Sequence, residues 1–191
     1  MAKGLIRSLS ALYDYDGQGT VAGTGVSSRE YGIGAIRKTV FTFTDAEVTM
    51  ADEAGVVAYG GLKIYDMPAG AILFFGATAD LDVTLTAAGI NADWDGDFGI
   101  GTVTASNNAT LATTEQNILP TTATPQASGS ATTANGQSTA TENAVIDGTS
   151  TAVDVYVNFL VDDADHDITS TPTNLVLNGT VTILWVNLGD Y

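Results

Sequence analysis

The C-terminal stretch of the chain, residues 180–188, restricts the possible folds more than any other part of the sequence. Between Thr180 and Leu188 nearly every residue is β-branched, aromatic or leucine, and such side chains suit a pleated, packed sheet. Alternate side chains of a strand point to opposite faces, and here both faces are largely apolar. We therefore predict a strand covered on both sides, near the middle of a sandwich. Asn178-Gly179 predicts a hairpin turn that pairs this strand with residues 175–177.

A second strong strand is predicted between residues 153 and 161. Every odd-numbered residue there is Val or Phe, whereas Asp154, Tyr156 and Asn158 fall on the opposite face. This alternation predicts one face in the core and one that is wet or lies at an interface. The chain shows no amphipathic helix of normal length. We therefore predict an all-β fold, a β-sandwich with jelly-roll-like topology.

The sequence outside these strands predicts two less regular segments. Residues 1–34 are rich in Gly, Ser and Tyr without a clear period, which favours an extended N-terminal arm that docks on a neighbouring subunit. Residues 35–191 form the predicted β-sandwich domain. Within it, residues from about 120 to 143 are mostly Thr, Ala, Ser, Gly and Asn, and we interpret them as a long loop excursion with a turn at Asn135-Gly136. The alternative is a hairpin that reaches a neighbour, and because threonine is tolerated in strands, the composition also allows some pairing.

Charge is distributed very unevenly along the chain. The formal net charge is −16, and all six lysines and arginines lie in the first 63 positions. Nucleic-acid binding requires cations that replace condensed counterions, so residues 64–191 would repel phosphate and anionic lipid. One interpretation is that the acidity keeps free subunits soluble and mutually repelled. The other is that residues 64–191 face away from nucleic acid or bind a basic partner. We expect neither a nucleic-acid partner nor a membrane partner.

Other sequence features limit the cellular setting. The 191 residues include no cysteine, which excludes disulfides and cysteine-ligated zinc. The N-terminal residues contain no apolar core of a secretory signal, and no apolar run approaches the length of a transmembrane helix. We therefore expect a soluble protein that is made and assembled inside a cell.

Few residues are candidates for chemistry. His166 is the single histidine, it lies in an acidic run, and no Gly-x-Ser-x-Gly elbow occurs. Asn91, Asp93, Asp95 and Asp97 place oxygen ligands at alternate positions, as calcium loops do, although Thr102 stands where an EF-hand needs Glu. The alternative interpretation is an Asp-rich turn whose carboxylates accept backbone N–H groups. We expect no catalytic residue, no cofactor and no enzymatic activity.

Several segments, in the same order from about residue 36 to residue 191, resemble a family of small virion proteins from tailed bacteriophages. The segments are Ile36-Arg-Lys-Thr-Val-Phe-Thr-Phe-Thr44, Lys63-Ile-Tyr-Asp66, Asp93-Trp-Asp-Gly-Asp-Phe-Gly-Ile-Gly-Thr102, Thr114-Glu-Gln-Asn-Ile-Leu-Pro120 and Gly179-Thr-Val-Thr-Ile-Leu-Trp-Val-Asn187. The resemblance implies a capsid cement, or decoration, protein with a β-sandwich fold, present as trimers on the outer shell. The implied partners are the major capsid protein and further copies of the chain.

From the resemblance and the charge together, we expect a protein of the capsid exterior that is assembled in the bacterial host cytoplasm. The alternatives are a structural protein of the tail or of a head-fibre base, and a carbohydrate- or calcium-binding module for host attachment. The cations of the first 38 residues are the candidate contacts with the capsid or a sister subunit. They are Lys3, Arg7, Arg29, Arg37 and Lys38. Tyr156, Asn158 and the uncharged residues 121–138 are predicted to contribute to a trimer interface.

Overall fold

Two antiparallel β-sheets, packed face to face, form the protein in a computed structural model. The structure describes residues 19–33, 36–52, 57–139, 145–162, 168 and 171–189. The prediction of an all-β sandwich is confirmed. A three-residue 3₁₀ helix, Thr113–Glu115, is the helical segment of the described chain.

Sheet A contains the strands β1 Thr20–Val21, β4 Ala51–Asp52, β5 Val57–Asp66, β7 Gly96–Gly101, β8 Leu119–Thr124 and β11 Asp154–Asp162. Strands β5, β11 and β7 form its centre and β8 forms one edge, whereas β1 and β4 pair with opposite ends of the other edge of β5.

Sheet B contains the strands β2 Val26–Ile33, β3 Ile36–Thr49, β6 Gly70–Leu85, β9 Ala131–Thr139, β10 Ile146–Gly148 and β12 Asn174–Asn187. Strands β6, β12 and β3 form its centre and β2 forms one edge, whereas β10 and β9 pair with successive parts of β6 at the other edge. The chain passes repeatedly between the sheets, for example from β5 to β6, from β6 to β7 and from β11 to β12.

The core fills the space between the two sheets with the inward side chains of every long strand. Large aromatic residues occupy its centre, and Phe98 and Phe159 of sheet A stack with ring centroids 5.7 Å apart. Trp185 of sheet B is buried, and its indole N–H donates to Thr39 Oγ1 at 2.9 Å. This bond satisfies a polar group that would otherwise destabilise the core.

Strand β12 lies in the middle of sheet B, between β3 and β6, as predicted. Val181, Ile183 and Trp185 are buried between the sheets, which confirms one of the two predicted faces. The prediction that the other face is also covered holds for Val186, which is 6% exposed, and is wrong for Leu184, which is 42% exposed. Leu184 therefore belongs to an open surface of the sandwich, whereas Val186 is covered by its neighbours.

Asn178-Gly179 does not form the predicted hairpin turn. The chain continues through both residues as one strand. The register with β3 shifts there because Thr44 and Asp45 of β3 oppose the single residue Asn178, so the β-bulge lies in β3. Gly179 has a φ of +130°, and the Asn178 side chain exchanges hydrogen bonds with Asp45 on the opposing strand at 3.0 and 3.1 Å. Pairing with β3 on one side and β6 on the other leaves the segment no free edge on which to fold back.

Strand β11 confirms the second predicted core strand, since its odd-numbered residues are buried between the sheets. The prediction that its other face is wet or at an interface is wrong for Asn158, which is fully buried. Residues 102–118 pack over the outer face of sheet A and cover it. Leu111 of this segment contacts Val57 and Leu160 in a second, smaller apolar cluster.

Residues 121–138, which were predicted to lie in a loop excursion, contribute mainly to two edge strands. Strand β8 extends sheet A along β7, and β9 extends sheet B along β6. The predicted turn at Asn135-Gly136 is wrong, since both residues pair with β6 in the middle of β9. Threonine suits a pleated surface, and the structure realises the pairing that the composition allowed. Residues 140–144 lie outside the described part of the chain.

The predicted N-terminal arm of residues 1–34 is only partly described, because residues 1–18 lie outside the described ranges. In the described part, Val26–Ile33 is the edge strand β2 and pairs along β3. The expectation of an unpaired arm therefore does not hold for this strand, which belongs to the sandwich.

Candidate functional site

Apolar side chains on the outer face of sheet B, the face turned away from sheet A, form the candidate site. The strand register places Leu184 between Gly76 and Lys38, and Val186 between Leu73 and Ile36. Tyr31 of the edge strand pairs with Lys38 and extends the same surface. We call this surface the outer patch and define it by Tyr31, Ile36, Leu73, Phe75, Leu184 and Val186.

The outer patch exposes an unusual amount of large apolar surface. Ile36 is 56% exposed, Leu184 42% and Phe75 38%. Val145 and Leu188 are exposed at its margin. Val145 directly precedes β10, which pairs with the first residues of β6, and the Leu188 N–H donates to the carbonyl of Ala71. Contiguous exposed apolar surface in a folded protein commonly marks a contact with another molecule. Among the described residues, Val103 is the large exposed apolar residue that lies elsewhere.

A β-bulge in β6 shapes the middle of the outer patch. The register between β6 and β12 shifts between Leu184 and Trp185, which leaves Phe75 as the extra residue. Phe75, Thr78, Gln137 and Leu184 line a shallow depression of about 200 Å³ on this face. A bulge redirects a side chain without interrupting the sheet, and here it presents an aromatic ring at the surface.

Two cations lie on the same face as the outer patch. Lys38 is exposed beside Leu184 on β3, and Arg29 is exposed on β2. The Arg29 guanidinium carbon lies 5.2 Å from the centre of the Tyr31 ring, within the range of a cation–π contact. Neither cation forms an ion pair within the described part of the chain, so both are available to carboxylates of a partner.

Arg37, which was predicted to contact a partner, lies inside the sandwich instead. It is 8% exposed and forms an ion pair with Glu30. Glu30 also accepts a hydrogen bond from the Tyr65 hydroxyl at 2.9 Å. Burial, and then the charge of Glu30, raise the pKa of Tyr65. The prediction for Arg37 is wrong because the alternation along β3 turns its side chain inward, whereas the side chain of Lys38 points outward.

The remaining cations do not contribute to the outer patch. Lys63 lies on sheet A, where it forms ion pairs with Asp66 and Asp154. Hydrogen bonds to these two carboxylates raise the pKa of Lys63. Lys3 and Arg7 lie outside the described residues.

The candidate calcium loop does not gather its four predicted ligands. Asn91 and Asp93 are exposed in a turn in which the Trp94 N–H donates to the Asn91 carbonyl at 3.3 Å. Asp95 and Asp97 instead line a small depression together with Asp162. Burial, and then the charge of Asp95, raise the pKa of the Asp97 carboxyl. No group of three or more His, Cys, Asp or Glu within the described ranges could hold a metal ion.

The outer face of sheet A is closed by a buried polar network centred on Asn158. Its amide Nδ2 donates to the carbonyls of Val103 and Glu115 at 2.9 and 2.7 Å. Its Oδ1 accepts from the Ala105 N–H at 2.8 Å. The Glu115 carboxylate accepts from Ser106 and from the Ala112 N–H. Since these groups satisfy one another, the network fixes residues 102–118 on sheet A and has a structural role.

Sequence reasoning missed the outer patch, although the signal was present in β12. The alternating apolar residues Leu184 and Val186 predict a covered strand face, yet Leu184 is exposed and only Val186 is buried. His166, the other candidate for chemistry, lies outside the described residues.

Comparisons with known proteins give no family for this chain: no family model, no curated protein and no solved structure matches it. Within the described ranges, no helix is long and apolar enough to cross a membrane.

Proposed function

We propose that this protein is a structural component of a tailed-phage virion, a cement protein that binds the outside of the head and stabilises the major capsid subunits. The observation that carries the proposal is the outer patch with Arg29 and Lys38, a surface suited to contact with another protein. The sequence resemblance supplies the class of assembly.

The chemistry of the outer patch favours binding over catalysis. Its side chains are aliphatic or aromatic, and the two nearby charged groups are a lysine and an arginine. Catalytic and small-molecule sites are usually concave, with converging polar groups. The outer patch is instead the broad face of a pleated sheet with a shallow depression. Apolar centres with an arginine and a tyrosine nearby are typical of protein interfaces.

The acidic remainder of the chain suits a place on the outside of a shell. A net charge of −16 keeps free copies apart and disfavours contact with packaged nucleic acid. The outer patch is the part of sheet B that departs from this acidity, and Asp80, Asp82, Asp45 and Glu47 are exposed elsewhere on the sheet. Repetition of one modest contact over a symmetric shell gives strong overall binding.

Location and copy number in purified virions test the proposal. Virions are separated into heads and tails, and the protein is quantified in each by mass spectrometry with labelled peptide standards. A cement protein is expected in the head fraction, at a copy number comparable to that of the major capsid protein. Presence only in the tail fraction, or in a few copies per particle, would overturn the proposal and favour a tail or head-fibre protein.

A further inference from the structure

We propose that the edge strand β2 pairs with an extended segment of the partner protein, in which an Asp or Glu faces Arg29 and an apolar residue faces Tyr31. The inference rests on the proposed function, because the partner is the major capsid subunit that the outer patch contacts. It adds how the partner's backbone is held and which side chains the paired segment carries.

Among the described strands, β2 is the long and regular one whose outer edge is open. It has eight residues, contains no proline and pairs with β3 in an unbroken register. Folded proteins usually protect such an edge by keeping the strand short, by a bulge or by a proline. The other edge strands of the described chain show these devices, since β1, β4 and β10 have two or three residues, and β8 contains Pro120 and a register shift against β7. Strand β9 lies beside β8, where the two sheets meet.

The hydrogen-bond pattern between β2 and β3 shows which backbone groups point away from the sheet. The Thr44 N–H donates to the Gly25 carbonyl at 2.9 Å, and these residues lie opposite each other in the register of the two strands. Hydrogen-bonded and non-hydrogen-bonded pairs alternate along antiparallel strands. The odd-numbered residues of β2 therefore bond to β3, whereas the N–H and C=O groups of Ser28 and Glu30 point to the open edge. An extended backbone satisfies both residues at once, because its own groups repeat at the same spacing of about 7 Å.

The side chains beside the open edge define the chemistry of the paired segment. Arg29 and Tyr31 are exposed on the outer face of sheet B, and the Arg29 guanidinium carbon lies 5.2 Å from the centre of the Tyr31 ring. Side chains directly opposite each other on antiparallel strands have Cβ atoms about 5 Å apart. An acid opposite Arg29 forms an ion pair, and an apolar residue opposite Tyr31 extends the outer patch. Because antiparallel strands run in opposite directions, the apolar residue of the partner precedes its acid by two positions.

The charges around β2 are compatible with an acidic partner segment. The acids of the neighbouring strand, Asp45 and Glu47, lie beyond the first residue of β2, since Val26 pairs with Phe43. Within β2, the Glu30 carboxylate is turned inward and is already bound to Arg37 and to the Tyr65 hydroxyl. Displacement of water from the edge therefore leaves no buried charge without a partner.

Binding to purified heads from which the protein has been removed tests the backbone pairing. Ser28→Pro removes the N–H that points to the open edge and puts a ring in its place, a change that an edge strand tolerates. Ser28→Ala is the matched control, because it shortens the same side chain and keeps the N–H. We expect Ser28→Pro to bind about tenfold or more weakly and Ser28→Ala to bind as the wild type does. Equal binding of the two variants would overturn the edge pairing and leave the proposed function intact, whereas heads that do not bind the wild type would overturn both.

Amide hydrogen exchange of the full chain, resolved to single residues by mass spectrometry, tests the same contact without a substitution. We expect the Ser28 and Glu30 amides to exchange fast in dilute purified protein and about 100-fold or more slowly in heads. The Arg29 and Tyr31 amides are the internal reference, because they bond to β3 in both states. Equal exchange of the Ser28 and Glu30 amides in the two states would overturn the proposal. Protection already present in the purified protein would overturn it too, since it would assign the edge to the chain itself, or to a second copy if it grows with concentration.

Charge reversal at Arg29 tests the chemistry of the partner segment. Arg29→Glu places two acids opposite each other, and we expect its binding to the same heads to be about tenfold weaker. Arg29→Lys keeps the positive charge and is expected to bind within about threefold of the wild type. Binding of Arg29→Glu as tight as that of Arg29→Lys, or tighter, would overturn the acidic character of the segment.

Discussion

Replacement of Asn158 by leucine tests how the segment 102–118 is held on sheet A. In the native protein the Asn158 side chain satisfies two carbonyls and one N–H of that segment. Leucine has a similar volume but cannot form these bonds. Three buried backbone groups then lose their partners, at a cost of at least about 1 kcal/mol each.

The protein can escape this cost only by releasing the segment into water. Release exposes Leu111 and Leu160, which are buried in the second apolar cluster, at a cost of about 1.5–3 kcal/mol for each side chain. Both routes therefore cost at least about 3 kcal/mol, and we expect Asn158→Leu to lower the free energy of unfolding by about 3–5 kcal/mol.

Urea unfolding followed by tryptophan fluorescence measures this loss, since Trp94 and Trp185 are both fully buried in the native core. Asn174→Leu is the matched control, because the Asn174 amide bonds an exposed carboxylate of Glu47. The control is expected to change the free energy of unfolding by less than about 1 kcal/mol. A loss of less than about 1 kcal/mol for Asn158→Leu would refute the structural role of the network.

Three further predictions follow from backbone geometry and charge. Gly179→Ala is expected to lower the free energy of unfolding by more than about 1 kcal/mol in urea, because its φ is +130° and the new methyl would meet a carbonyl oxygen of β6. Arg37→Met leaves Glu30 buried without its cation, and we expect a loss of about 3 kcal/mol or more by the same assay, whereas Arg29→Met on the surface is nearly neutral. The folded-state pKa of Asp97 is raised, so its ionised form disfavours the native state at neutral pH. Asp97→Asn is therefore expected to raise the urea midpoint at pH 7, and the gain should shrink as the pH falls through the carboxyl's raised pKa; a gain that grows at low pH would contradict the sign.

The two strongest strands could be predicted from the sequence because their physics is local. Alternation of Val and Phe along β11 and of Val, Ile and Trp along β12 specifies one buried face, and the structure places both strands at the centre of a sheet. The β-bulge in β3 opposite Asn178 could not be predicted in this way. An Asn-Gly pair favours a turn locally, and here strands distant in sequence pair with it on both sides and keep it extended.

The outer faces of the two sheets could not be distinguished from the sequence. Asn158 is polar and would be expected to face solvent, yet it is buried by a segment more than forty positions earlier in the chain. Leu184 is apolar and would be expected to be buried, yet it is exposed. Whether the second face of a strand is covered depends on which loops pack against it. The alternation of polar and apolar residues along the strand contains no information on that packing. The uncharged residues 121–138 likewise pair in two sheet edges because β6 and β7 present unpaired edges to them.

The central claim is that the outer face of sheet B is a protein-contact surface, and hydroxyl-radical footprinting tests it most directly. Oxidation of Tyr31, Phe75 and Leu184 is compared between dilute purified protein and purified phage heads, with Val103 as the internal reference. We expect the three patch residues to react in dilute solution and to be strongly protected in heads, while the reactivity of Val103 is less affected. Patch residues as reactive in heads as in dilute solution would contradict the claim.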